Sequence, residues 1–237
     1  MLRKYRWIAL AIGFIILLFI IQYPLSNHYS WRPWNLPLSG KIIYLDPGHG
    51  GPDGGAVGKE LLEKDIALDI SLILRDYLQE QGALVLLTRE EDKDLASKDT
   101  KGYSRRKAED IRKRVELINE SEADLYISIH LNAIPSARWR GSQTFYNGTY
   151  KENEEVAKFI QDELRRNLEN TNRKAKHISG IYLLKHTQKP GALVEVGFLS
   201  NPQEEKLLSQ EEYRKKVAAS IYKGILRYFS NESNPPD

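Results

Sequence analysis

From Lys41 to Phe229 the pattern alternates between short apolar runs and longer stretches with helical spacing, and few architectures accept that alternation. Strands are expected at Lys41–Tyr44, Leu84–Thr88, Leu125–Ile129, Ser142–Tyr146, Ile181–Leu184 and Ala192–Val196. Helices are expected from near Leu62 to Gln81, Ser104–Glu120, Asn153–Asn170 and Tyr213–Phe229. The first carries Ile66, Ile70, Ile73, Leu74, Tyr77 and Leu78 on one face, and Gly82 stops it. Strands alternating with helices imply an α/β domain with a largely parallel sheet, and such sheets bind ligands outside the carboxyl ends of their strands.

Before this domain stands a different chain. Arg3-Lys4-Tyr5-Arg6 precedes an apolar run from Trp7 to Ile21, broken only by Gly13. Residues 1–6 read as a basic cytoplasmic region and 7–23 as a signal anchor or the apolar part of a signal peptide. No small-x-small cleavage site follows, which favours an uncleaved anchor with the rest of the chain exported. Residues 24–40, with Trp31, Pro33, Trp34 and Pro37, read as a linker, 41–229 as the catalytic domain and 230–237 as a frayed tail.

The net charge of +3 belongs to the leader. Four of the 35 basic residues lie in 1–39 with no acidic ones, leaving 31 against all 32 acidic residues in the remainder, a net of −1. That balance gives no support to a nucleic-acid partner. The absence of cysteine excludes disulfides, thiolate metal sites and a Cys nucleophile. No GxSxG elbow and no phosphate-binding Lys-Ser/Thr loop occurs. Arg105, Arg106, Lys107, Arg112, Lys113 and Arg114 read as the solvated side of their helix.

The strand-end rule gathers four candidates. His49 lies in the glycine-rich loop after the first strand, within Asp46-Pro47-Gly48-His49-Gly50-Gly51-Pro52-Asp53-Gly54-Gly55. Glu63 opens the following helix, and His130 ends the third strand. Glu195 sits in Leu193-Val194-Glu195-Val196-Gly197-Phe198, where a carboxylate among apolar neighbours must be paired or used. Two histidines and a glutamate suffice to hold a catalytic zinc, and a further carboxylate outside that set can move the proton of the attacking water. No HExxH is present, so residue chemistry alone leaves both a metal site and structural histidines open. His28, His177 and His186 read as exposed.

Four ordered blocks now coincide: Asp46–Gly51, Glu63-Lys64-Asp65, Ser128-Ile129-His130-Leu131-Asn132-Ala133 and Val194–Asn201. In this order they resemble zinc-dependent N-acetylmuramoyl-L-alanine amidases of the third amidase type, over residues 41–229. The resemblance implies a single domain built on a twisted, mostly parallel six-stranded sheet flanked by helices. It implies Zn2+ on His49, Glu63 and His130, Glu195 as catalytic acid/base, and substrate contacts at Asn132 and Lys185. Lys185 stands where many members have Arg, which bears on its role. Only Ile134–Tyr150 separates His130 from the next helix, leaving no room for the autoinhibitory helix of division amidases.

The whole chain, leader and linker included, is similar to the spore-cortex branch of the family. That likeness implies a muropeptide substrate in cortex peptidoglycan, peptide removal on the way to muramic δ-lactam, a functional link to a muramic-acid deacetylase, and an activating or localising protein partner. It places the enzyme outside the cytoplasmic membrane, tethered or secreted. A cell-wall zinc peptidase and a catalytically silent wall-binding module are the rival readings.

Overall fold

The computed structural model describes residues 2–26, 36–230, 232 and 235. The expectations for residues 27–35, including Trp31, Trp34 and His28, and for most of the tail beyond Ser230, lie outside the described residues. The chain divides into two units, 1–35 and 36–237.

The first unit contains one helix, α1 (Leu2–Ser26). Its Trp7, Leu10, Phe14 and Ile15 are exposed. Among the described residues no helix is long and apolar enough to cross a membrane.

The second unit runs β1 (Ile42–Pro47), α2 (Glu63–Glu80), β2 (Leu84–Leu87), α3 (Tyr103–Glu120), β3 (Leu125–Asn132), β4 (Gln143–Tyr146), α4 (Lys151–Leu168), β5 (Lys176–His177), α5 (Tyr182–His186), β6 (Gly191–Phe198), α6 (Pro202–Leu208) and α7 (Glu211–Phe229). The six strands are ordered β2-β1-β3-β6-β4-β5. All neighbours are parallel except β4 with β6.

Alternation along the strands makes two cores. Ile43, Leu45, Leu125, Ile127 and Ile129 pack with Ile66, Ile70 and Leu74 of α2, Ile160 and Leu164 of α4, and Ile221 and Ile225 of α7. Tyr44, Tyr126 and Leu193 pack with Val115 and Ile118 of α3 and Leu183 and Leu184 of α5. Both faces are covered, as a parallel sheet requires.

The structure corrects the element reading at three places. Ile181–Leu184 is not a strand: residues 182–186 form the short helix α5, whose Leu183 and Leu184 fill the second core. A short apolar run fits a buried helix turn as well as a strand. The sixth strand is instead Lys176–His177, two exposed residues with no apolar signal. Helix α6 was not expected; Asn201 caps it by accepting from the Gln203 and Glu204 amides, with Pro202 at its first position.

The folded unit also reaches back into the expected linker. Leu38 is fully buried in the main core, and its amide donates to the Gln81 carbonyl at 3.0 Å. A chain begun at Lys41 should therefore be less stable than one begun at Leu36 by about 2–3 kcal/mol, the value of one buried leucine. Urea unfolding of the two shortened chains measures the difference.

Candidate metal centre

The parallel sheet places the candidate residues at one end. His130 on β3 lies opposite Glu195 on β6, and the loop after β1 brings His49 beside them. Glu63 is the first residue of α2, where the helix dipole favours a negative charge.

The donor atoms of His49, Glu63 and His130 all lie within 4.8 Å of one another. His49 Nε2 stands 3.2 Å from Glu63 Oε2, and His130 Nδ1 stands 2.9 Å from Glu63 Oε1. The imidazoles meet edge to face with centroids 5.0 Å apart. Glu63 is fixed further by backbone donors: Ala56 N at 2.6 Å and Leu131 N at 2.9 Å. Two glycines make this closeness sterically allowed. A Cβ on Gly48 would run into the His130 ring, and one on Gly55 into the Glu63 carboxylate and the His49 ring.

Asp53, in the same loop but given no role by the sequence, orients His49. Its Oδ2 accepts from His49 Nδ1 at 2.9 Å, while Oδ1 accepts from Tyr103 Oη at 2.8 Å and from Gly55 N at 3.1 Å. Lys107 Nζ lies 3.0 Å from Oδ2. With Nδ1 donating to a carboxylate, Nε2, on the Glu63 side, is the nitrogen left for a metal once its proton is displaced. Replacing Asp53 by Ala should weaken metal affinity by roughly 10–100-fold, the usual cost of losing such a partner; competition with a chromophoric chelator reads it.

The electrostatics favour a cation. Burial disfavours charge on His49, but hydrogen bonds to Asp53 and Glu63 outweigh it and raise the ring to about 9. Burial likewise opposes charge on Glu63 and Asp53. Contacts with His130 and His49 nevertheless hold Glu63 well below the usual carboxylate range, and His49 and Lys107 do the same for Asp53. Two carboxylates held ionised beside two imidazoles suit a divalent ion, whose ligands bind in their deprotonated forms.

Glu195 differs from Glu63: its Oε2 is buried without a hydrogen-bond partner among the described residues. Burial raises its pKa to about 7, opposed by His130 and His49 and reinforced by Glu63. Glu195, His49 and His130 line one cavity of about 230 Å³, whose apolar wall comes from Ile111 of α3, Ile181, Leu183 of α5 and Leu193 of β6.

Asn132 and Lys185 are not brought to this cavity. Asn132 lies past a register shift on β3, opposite Phe198, and Lys185 is exposed on α5. His177 and His186 are exposed, as expected.

The basic side of α3 departs from expectation. Arg114 is buried and donates to Asp46 Oδ1 at 2.8 Å, Asp110 Oδ2 at 2.8 Å, Pro47 O at 2.6 Å and His49 O at 2.5 Å. Arg106 pairs with Asp94, and Lys107 turns to Asp53. Buried Arg89 donates to the carbonyls of Pro47, Gly48 and Lys64. Two guanidinium groups thus clamp the loop that presents His49.

Over residues 43–227 the chain matches the family described as N-acetylmuramoyl-L-alanine amidase (Amidase_3). It is 68% identical over 237 residues, the whole of both chains, to the germination-specific N-acetylmuramoyl-L-alanine amidase of Bacillus subtilis (strain 168). It is 36% identical over 195 residues to the N-acetylmuramoyl-L-alanine amidase LytC of the same strain, covering 81% of this chain and 36% of that protein. Among solved structures, the CwlD amidase of Clostridioides difficile in complex with the GerS lipoprotein is 44% identical with a TM-score of 0.78, covering 80% of this chain and 98% of that one.

Proposed function

Since this chain belongs to the N-acetylmuramoyl-L-alanine amidase family and is an amidase of that class, we propose that it hydrolyses the bond between the lactyl group of N-acetylmuramic acid and L-alanine using one zinc ion held by His49, Glu63 and His130. The observation that carries this is the convergence of those three donors beside the buried, partnerless Glu195 carboxylate. The donor set fits zinc, which takes imidazole and carboxylate ligands and keeps a position open for water. When bound, the ion lowers the pKa of its water and polarises the substrate carbonyl.

The residues divide the remaining work. His49 Nε2, His130 Nδ1 and Glu63 supply the donors, and Asp53 fixes the His49 tautomer. Glu195 takes a proton from the attacking water as the hydroxyl oxygen joins the lactyl carbonyl carbon. It then delivers that proton to the alanine nitrogen as the C–N bond breaks, leaving a lactyl carboxylate and a free amine. The apolar side chains of Ile111, Ile181, Leu183 and Leu193 line the same cavity and lower the polarity around the transferred proton.

The substrate is cortex peptidoglycan of the spore. Peptide removal there precedes deacetylation of the exposed muramic acid and formation of muramic δ-lactam. Similarity to a germination-specific amidase over the full length supports this reading. The apolar run 7–23 directs export, and the domain acts outside the cytoplasmic membrane, tethered or secreted. A protein partner activates or places the enzyme, a reading supported by the related amidase solved with a lipoprotein. Incubating muropeptides with protein and zinc, then identifying the new ends by mass spectrometry, tests the reaction. Free lactyl carboxylate with an L-alanine amine is the expected product. Peptide–peptide cleavage would make the protein a zinc peptidase instead.

A further inference from the structure

We propose that the loop 133–141 is a subsite that grips the glycan strand beyond the bond being cut, Trp139 stacking on a sugar ring and Arg138 and Arg140 pairing with carboxylates of the peptide stems. The inference rests on the amidase reading above and adds a substrate contact to it.

Position is the first ground. The loop leaves β3 just after His130 and enters β4 at Gln143, which pairs with Glu195 on β6. Since β6 lies between β3 and β4, the loop arches over the carboxyl end of β6, beside the catalytic cavity.

Its construction is the second ground. Four side chains hold its backbone. Asn201 Nδ2 donates to Ala137 O at 2.7 Å, and Arg173 Nη1 donates to Arg140 O and Gly141 O, both at 2.6 Å. Glu204 Oε1 accepts from Gly141 N at 2.8 Å, and Ser200 Oγ accepts from Ile134 N at 3.3 Å. Three of these anchors, Ser200, Asn201 and Glu204, come from the segment directly after β6, so the loop is tied to the strand that carries Glu195.

The third ground is what the anchored loop presents. Arg138, Trp139 and Arg140 are all exposed, Trp139 at 43%. One exposed tryptophan would be ordinary. Here the Arg138 guanidinium sits 5.5 Å from its ring centroid, and neither arginine makes an ion pair among the described residues. An anchored loop offering an aromatic side chain between two exposed guanidinium groups, of which Arg140 also feels the Glu204 carboxylate, suits a partner with apolar faces and spaced negative charges. A glycan strand bearing carboxylate-ended peptides has both, since the C–H face of a pyranose is apolar.

The test uses the full chain and insoluble purified peptidoglycan. Trp139→Ala should weaken co-sedimentation roughly ten-fold and raise KM for long strands by a similar factor, about the loss of one aromatic anchor. Trp139→Tyr should restore binding to within about two-fold, because it keeps the stacking face. Arg138→Gln with Arg140→Gln should flatten the dependence of binding on salt. Zinc content should not change in any variant. Trp139→Ala that sediments like the wild type overturns the subsite and leaves the loop as a docking surface for a protein. A wild-type protein that binds strands but releases no peptide would refute the amidase reading instead, while the sedimentation comparison still decides the subsite.

Discussion

Glu195→Gln should lose turnover by roughly 10²–10⁴-fold, the range for a missing general acid/base, while zinc content stays at the wild-type level. Glutamine keeps the shape and hydrogen-bond reach of the side chain but cannot carry the proton. Two controls separate this from general damage. First, burial raises the Glu195 pKa to about 7, so the folded protein resists ionising it. A raised carboxylate contributes to stability at low pH and loses that contribution as pH rises through the folded value. Above pH 7 the variant should therefore melt at or above the wild-type temperature, the usual relation between an active-site strain and stability. Second, Glu63→Gln should behave in the opposite way, losing zinc first and regaining part of its activity in excess metal. Rescue of Glu195→Gln by zinc, without rescue of Glu63→Gln, would exchange the two roles.

Arg114→Ala should cost about 3–5 kcal/mol, as expected when one partner of a buried ion network is removed. That is a large part of the roughly 5–15 kcal/mol that holds a typical domain together. Arg114 is 2% exposed, and its guanidinium donates to Asp46, Asp110 and the Pro47 and His49 carbonyls. Without it Asp110 Oδ2 and the His49 carbonyl lose this donor, Asp110 keeping the Leu95 amide on Oδ1, so metal affinity should fall with stability. The same network sets an acid limit. Burial opposes ionisation of Asp46, but Arg114 and the Ser128 hydroxyl hold its pKa below the usual carboxylate range. A lowered carboxylate adds stability above its unfolded pKa and loses it as pH falls through the folded value. The wild type should therefore lose this contribution only below about pH 4, and the Arg114→Ala protein should show a weaker dependence there. Urea midpoints at pH 7 and at about pH 2–3 measure both effects. A loss under about 1 kcal/mol would show that the network does not support the loop.

The four chemical residues were legible because each stands at a predictable place: His49 and His130 where strands end, Glu63 where a helix starts, Glu195 as a carboxylate in an apolar run. Their pairing across β3 and β6 was not, since register is set by the whole sheet. Arg114 read as solvated because a helix crowded with cations does not reveal which one turns inward, and its partner Asp46 lies 68 residues away. Asp53 carried a signal that went unused: it stands four residues from His49 in the same loop, within reach of the second ring nitrogen. Ile181–Leu184 misled because four apolar residues carry no period. Leu38 was hidden by the prolines and tryptophans around it, whose composition says linker while one side chain fills the core.

Zinc content measured by elemental analysis, on the wild type and on His130→Ala prepared identically, tests the central claim most directly. One zinc per chain is expected in the wild type and a sharp loss in the variant, because a two-donor site lacks both the charge and the geometry to retain the ion. Full zinc occupancy in His130→Ala would contradict the donor set and the mechanism built on it.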